Sequence, residues 1–194
     1  MLRHLPNILT SARILAIPAL VWLAVTRRHD PFAVLLVASL VGDIVDGLLA
    51  RVLHASSALG ASLDSVADLL LFFTAAYGAW AFYPDAMRAH AFAFGLIPVL
   101  WIAEIAASFV RYGRPSSFHT TLARIAAYVM GIFIGLLFLT GFEPWLLYVA
   151  DAAVTLATLE EFALLAVLPT WTADVRGLYW VLRARRAGQP IGRA

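Results

Sequence analysis

Long apolar runs alternate with short polar breaks along this chain, and the runs are too long and too uniform for the core of a soluble domain. Six of them can be marked, at about residues 9–25, 32–53, 58–82, 91–110, 122–139 and 145–168, the first short and carrying Pro18. Breakers separate them at 27–31, 83–90, 111–117 and 140–144. A spanning helix needs about 20 mainly apolar residues. The pattern therefore predicts an all-α, polytopic membrane protein with six transmembrane helices and interfacial helical segments at its N- and C-terminal ends. Arg27 and Arg28, with no small-residue cleavage site, follow the first run, so it reads as a retained span. From about 172 to 194 the pattern becomes amphipathic, with Leu178, Tyr179, Trp180 and Leu182 among arginines, as in a helix lying on the inner leaflet. No shift in composition divides residues 1–194, which read as one domain.

Composition agrees with the pattern. The 194 residues are 62% hydrophobic and 13% charged, against about 25% charged in soluble domains, and the mean hydropathy is +0.86. A soluble enzyme and a disordered chain are both excluded. There is no cysteine, and all 14 basic residues are arginine. Thiolate chemistry and lysine Schiff bases are thereby removed. A net charge of +2 gives no reason to expect nucleic acid. With the N-terminus inside, eleven arginines fall on the inner side and three (Arg27, Arg28, Arg88) on the outer, which predicts both termini in the cytoplasm.

Charges inside two of the runs do not belong in a bilayer. Asp43 and Asp46 lie in the second run, with Arg51 near its end, and Asp64 and Asp68 lie in the third. A charge at the bilayer centre costs about 2.5–3.5 kcal/mol on insertion scales. In helices, Asp43, Asp46, Gly47 and Ala50 share one face, as do Gly60, Asp64 and Asp68. If these two helices pack as neighbours across the 52–59 turn, four carboxylates converge near the inner surface. Four hard oxygen donors with no His or Cys beside them suit Mg²⁺ or Mn²⁺, and are enough for two ions. Gly47, Ala50 and Gly60 leave the faces bare, and Arg51 can reach a phosphate. Together they suggest a diphosphate ligand. The plainer reading, carboxylates hydrogen-bonded between helices and glycines that serve close packing, fits each residue singly but not the set.

The string Asp43-x2-Asp46-Gly47-x2-Ala50-Arg51-x8-Gly60-x3-Asp64-x3-Asp68 resembles the signature of the CDP-alcohol phosphotransferase (phosphatidyltransferase) family at all eight positions. Pro6-Asn7-Ile8-Leu9-Thr10-x2-Arg13-x4-Pro18 is similar to the N-terminal motif of its bacterial members, the phosphatidylglycerophosphate synthase type among them. The resemblance implies metal-dependent transfer of a phosphatidyl group from CDP-diacylglycerol to an alcohol, with CMP released, at the cytoplasmic face of a bacterial inner membrane. It implies that Asp43, Asp46, Asp64 and Asp68 hold two Mg²⁺ or Mn²⁺ ions, and that Asp68 is also the catalytic base. The CDP moiety would lie against Asp43, Gly47, Ala50, Arg51, Gly60 and Asp64. It further implies a homodimer.

The acceptor would enter beside the loop between the fourth and fifth runs, where Arg111, Arg114, His119, Thr120 and Arg124 offer cations and hydroxyls to a phosphorylated polyol. Glycerol 3-phosphate or another polar alcohol is the acceptor expected. Members that use glycerol 3-phosphate carry a lysine-rich stretch before paired threonines, where this chain has Phe118-His119-Thr120-Thr121. Arg13 is expected either to touch phosphate or to anchor its helix. Glu104 is expected to pair with Arg111, and Asp151, Glu160 and Glu161 to pair with Arg124, with lining the site as their alternative. Competing readings are an aminoalcohol phosphotransferase using CDP-choline or CDP-ethanolamine with diacylglycerol, a non-catalytic assembly subunit, and a cation path. A path would spread its acids through several spans, whereas four of these cluster near one end of two.

Overall fold

A computed structural model describes residues 5–52, 58–116 and 118–188; for 5–9, 46–52, 58–62 and Ser65 it describes the helical backbone alone. The described residues form eight helices and no strand. They are α1 (Leu5–Val25), α2 (His29–Val52), α3 (Ala58–Phe82), α4 (Pro84–Ala89), α5 (Ala91–Tyr112), α6 (Thr121–Thr140), α7 (Pro144–Val167) and α8 (Leu178–Arg186). Each apolar run has become one helix, with ends within a few residues of the pattern. Pro6 to Leu9 continue unbroken into α1, so no separate interfacial helix precedes it among the described residues. The break at 83–90 holds the short α4, which starts on Pro84 with Asp85 in its first turn. Among the described residues two helices, α5 and α6, are long and apolar enough to cross a membrane; Thr10–Val25 and Val66–Phe82 are shorter apolar stretches.

The chain divides into two compact units. One comprises residues 1–89 with 134–142, the other residues 90–133 with 143–194. In the first, α1 packs along both α2 and α3, while among the described residues α2 and α3 meet over only a few positions. The turn between α2 and α3 lies outside the described residues, and α1 is the neighbour that the two helices share. Leu20, Leu23 and Ala24 of α1, Leu36 of α2 and Ala67, Leu71 and Ala75 of α3 are all buried. One end is closed by an aromatic cluster. The ring of Phe32 lies 5.3 Å from that of Phe82 and 5.0 Å from that of Phe138, and His29 Nε2 is hydrogen-bonded to the Tyr83 hydroxyl at 2.8 Å. Gly78 lies directly under Phe32, where a Cβ would stand 2.7 Å from Cε1 and nearer still to Cζ. The missing side chain lets α3 approach the rings.

In the second unit α5 packs along α7. Gly113 ends α5 in the left-handed conformation (φ 72°), its amide bonded to the Phe109 carbonyl at 2.8 Å. Phe118, Leu164, Leu165, Leu168, Val175 and Val181 form a core joining the 114–121 loop, the end of α7 and α8. Elsewhere large apolar side chains stand out from the surface: Val110 is 90% exposed, Phe92 84% and Leu15 76%.

Candidate functional site

Asp43 on α2, Asp64 and Asp68 on α3 come together in the first unit. One oxygen from each lies within 4.8 Å of the others. Residues 64 and 68 are one turn apart on α3, so both carboxyls leave the same face; Asp43 reaches them from α2. What gathers them is a residue from α1. Arg13 Nη1 donates to Asp43 Oδ1 and, at 2.6 Å, to Asp68 Oδ1, while Nη2 donates to Asp64 Oδ1 at 2.8 Å. Among the described residues, one planar guanidinium thus serves three carboxylates from two helices. The Arg13 side chain is 3% exposed, whereas those of Asp43, Asp64 and Asp68 are 38%, 44% and 53% exposed. The cluster is closed on the α1 side and open on the other, so a ligand can reach it.

The donor chemistry fits a hard divalent cation: three carboxylates, close enough to share ions, with no nitrogen or sulfur ligand among them. Asp46, Gly47, Ala50, Arg51 and Gly60 fall on helical backbone, but their side chains lie outside the described residues. Of the two roles expected for Arg13, the structure shows neither by itself. It is the counter-charge that holds the acids together. The signal was in the sequence, since an arginine eight residues inside an apolar helix needs a partner, but spacing alone could not say which helix supplies it.

The loop expected to meet the acceptor belongs to the second unit, and its residues are held there by specific contacts. Arg111 Nη2 donates to the carbonyls of Ala166 (3.4 Å) and Leu168 (3.1 Å), at the end of α7, where a cation complements the helix dipole. Arg114 stacks on Trp171, 3.9 Å from the ring centroid. Arg124 Nε donates to the His119 carbonyl at 3.1 Å. His119, itself at φ 49°, has Nδ1 3.6 Å from Asp174 Oδ1. Thr120 is wholly buried, and its Oγ1 accepts from the Ala123 amide at 3.0 Å, capping α6. Arg111, Arg114, His119 and Arg124 remain exposed.

A segment that sequence reasoning had not connected to this loop turns out to hold it. Val175 N–H donates to the Phe118 carbonyl at 2.7 Å and Thr121 N–H to the Arg176 carbonyl at 3.0 Å. Trp171 Nε1 adds a bond to the Pro115 carbonyl at 2.9 Å. The expected pairings of the remaining acids are corrected. Glu104 is buried against Ser116, not Arg111, because Arg111 is drawn to the carbonyls of α7. Glu160 Oε1 accepts from the Leu178 amide at 3.0 Å, capping α8. Neither it, Glu161 nor Asp151 forms an ion pair with Arg124 among the described residues. Asp151 is buried beside an apolar groove of about 460 Å³ between α5 and α7.

A model of the CDP-alcohol phosphatidyltransferase family matches residues 3–174, so the chain belongs to that family. Curated proteins named "Putative cardiolipin synthase" in Mycobacterium tuberculosis (strain ATCC 25618 / H37Rv) and Mycobacterium bovis (strain ATCC BAA-935 / AF2122/97) are each 34% identical to it over 122 residues. The match spans 58% of this chain and 58% of each relative's length. No solved structure matches the chain.

Proposed function

We propose that this enzyme transfers the phosphatidyl group of CDP-diacylglycerol to the hydroxyl of a polar acceptor and releases CMP. The observation that carries the reading is the cluster of Asp43, Asp64 and Asp68 drawn together around Arg13 and open on its far side. Asp43, Asp64 and Asp68, with Asp46 from the same signature, would hold Mg²⁺ or Mn²⁺. Such ions, when bound, offset the charge of the diphosphate as it develops on the leaving group. Asp68, the most open of the three, takes the proton from the acceptor hydroxyl. The freed oxygen attacks the lipid-side phosphorus, the bond from that phosphorus to the bridging oxygen breaks, and CMP departs with the electron pair. Gly47, Ala50 and Gly60 make room for the cytidine, and Arg51 binds its phosphate.

In this reading the protein is a single domain over residues 1–194 that crosses a bacterial inner membrane six times with both ends in the cytoplasm, and it works as a homodimer. The exposed apolar side chains on α1, α5 and α7 support the membrane setting, and the eleven-to-three arginine bias supports the orientation. The exposed Arg111, Arg114, His119 and Arg124 form the approach for the acceptor, with Thr120 shaping the loop beneath them.

The name borne by the mycobacterial relatives puts phosphatidylglycerol first among acceptors, and the replacement of the lysine-rich stretch by Phe118-His119-Thr120-Thr121 counts against glycerol 3-phosphate. The test is CMP release by the purified full chain with CDP-diacylglycerol and Mg²⁺ or Mn²⁺. It is run against a panel of phosphatidylglycerol, glycerol 3-phosphate, inositol, inositol phosphate and serine. Metal-dependent release with one acceptor, abolished by chelator, is the expected result. Release only with CDP-choline and diacylglycerol would overturn the donor assignment.

A further inference from the structure

The outward face of α8 is used neither by the fold nor by the proposed reaction. The helix has two sides. Leu178, Val181 and Ala184 turn inward, Val181 being 2% exposed in the core with Phe118 and Leu168, and Glu160 fixes the first amide of the helix. Gly177 makes that contact possible: at φ 150° it is strained for other residues, and a Cβ there would stand 2.7 Å from Glu160 Oε1. On the opposite side Tyr179, Leu182, Arg183 and Arg186, at i, i+3, i+4 and i+7, form one exposed stripe. Neither Arg183 nor Arg186 has a side-chain hydrogen bond or ion pair among the described residues.

An aromatic and a leucine interleaved with two guanidinium groups fit one kind of partner, the boundary of a negatively charged phospholipid leaflet. There the apolar groups enter the acyl region and the arginines meet phosphate. We propose that the outer face of α8 lies on the anionic phospholipid surface of the membrane, and that this contact clamps the 114–121 loop. The clamp runs through the chain itself. Residues 175 and 176, just before α8, exchange backbone hydrogen bonds with residues 118 and 121, and Glu160 ties the start of α8 to α7. A helix pinned on its outer face holds that pairing in place, whereas a helix free to lift lets it open. The occupant is the bulk anionic lipid, not the CDP-linked donor. The kinetic consequence rests on the reading that the 111–124 region receives the acceptor.

The experiment is hydrogen exchange at the Val175 and Thr121 amides of the full chain, without substrate, in nanodiscs of phosphatidylcholine alone or mixed with phosphatidic acid. Exchange is expected to slow at least about fivefold in the anionic discs. Arg183→Gln/Arg186→Gln should lose that slowing, and the charge-matched control Arg27→Gln/Arg28→Gln should keep it. Equal exchange in the two lipids overturns the proposal, as does slowing that survives in the Arg183/Arg186 variant. The KM for the acceptor, measured in the same discs, separates the two readings. A fall in KM that accompanies slower exchange supports both. Slower exchange with an unchanged KM upholds the lipid surface and removes the loop from the acceptor site.

Discussion

The chemistry of this site depends on how a few charged side chains share one another. Asp68→Asn keeps the shape and the hydrogen bond to Arg13 but removes the proton acceptor. CMP release should fall by about 10²–10⁴-fold while thermal unfolding of the purified protein stays unchanged; retained turnover would remove Asp68 as the base. Arg13→Gln acts differently. It leaves three half-exposed carboxylates without the cation that offsets their mutual repulsion. The variant should melt at lower temperature and bind Mn²⁺ more weakly, read by electron paramagnetic resonance, because the acids would no longer be gathered. Tighter Mn²⁺ binding would mean that Arg13 competes for the carboxylates. The acids were legible in the sequence because helical spacing puts residues 64 and 68 on one face and a bilayer punishes unpaired charge. The contacts of Arg111 and Glu104 were not legible, because each found its partner, a carbonyl or a serine, at a distance in sequence that spacing rules do not reach.

At the level of helices, the apolar runs were readable almost to their ends because length and hydropathy alone define them. How the helices pack was not readable. Sequence adjacency pointed to α2 beside α3 and gave no sign that α1 lies along both, since nothing in an apolar surface says which neighbour it will choose. Gly78 shows where packing is tight enough to test. Gly78→Ala would drive a methyl into Phe32, which is wholly buried and locked between Phe82 and Phe138, so the ring cannot swing clear. A loss of about 1–3 kcal/mol is expected, measured as a lower midpoint of unfolding, whereas alanine at Gly131 or Gly135, where a Cβ would meet nothing within 4 Å, should cost much less. The hold of residues 171–176 on the loop before α6 was also beyond reach of the sequence. It is made of backbone hydrogen bonds, which carry no side-chain signature.

For the whole molecule, the absence of cysteine makes the proposed topology directly measurable. Single cysteines introduced as Arg28→Cys and Ala187→Cys should label from opposite sides of intact spheroplasts, the first from outside and the second only after permeabilisation. Labelling of both from one side would overturn the six-span arrangement. The clasp around Arg13 also bears on how the protein is made. Arg13 leaves the ribosome with α1, some thirty residues ahead of Asp43 and fifty ahead of Asp64 and Asp68. Until those arrive, the first helix carries an uncompensated charge that resists settling in lipid. A nascent chain arrested after α1 should therefore be extracted from membranes by alkali. One arrested beyond α3 should resist extraction, its residence in the bilayer secured by the three carboxylates that close around Arg13.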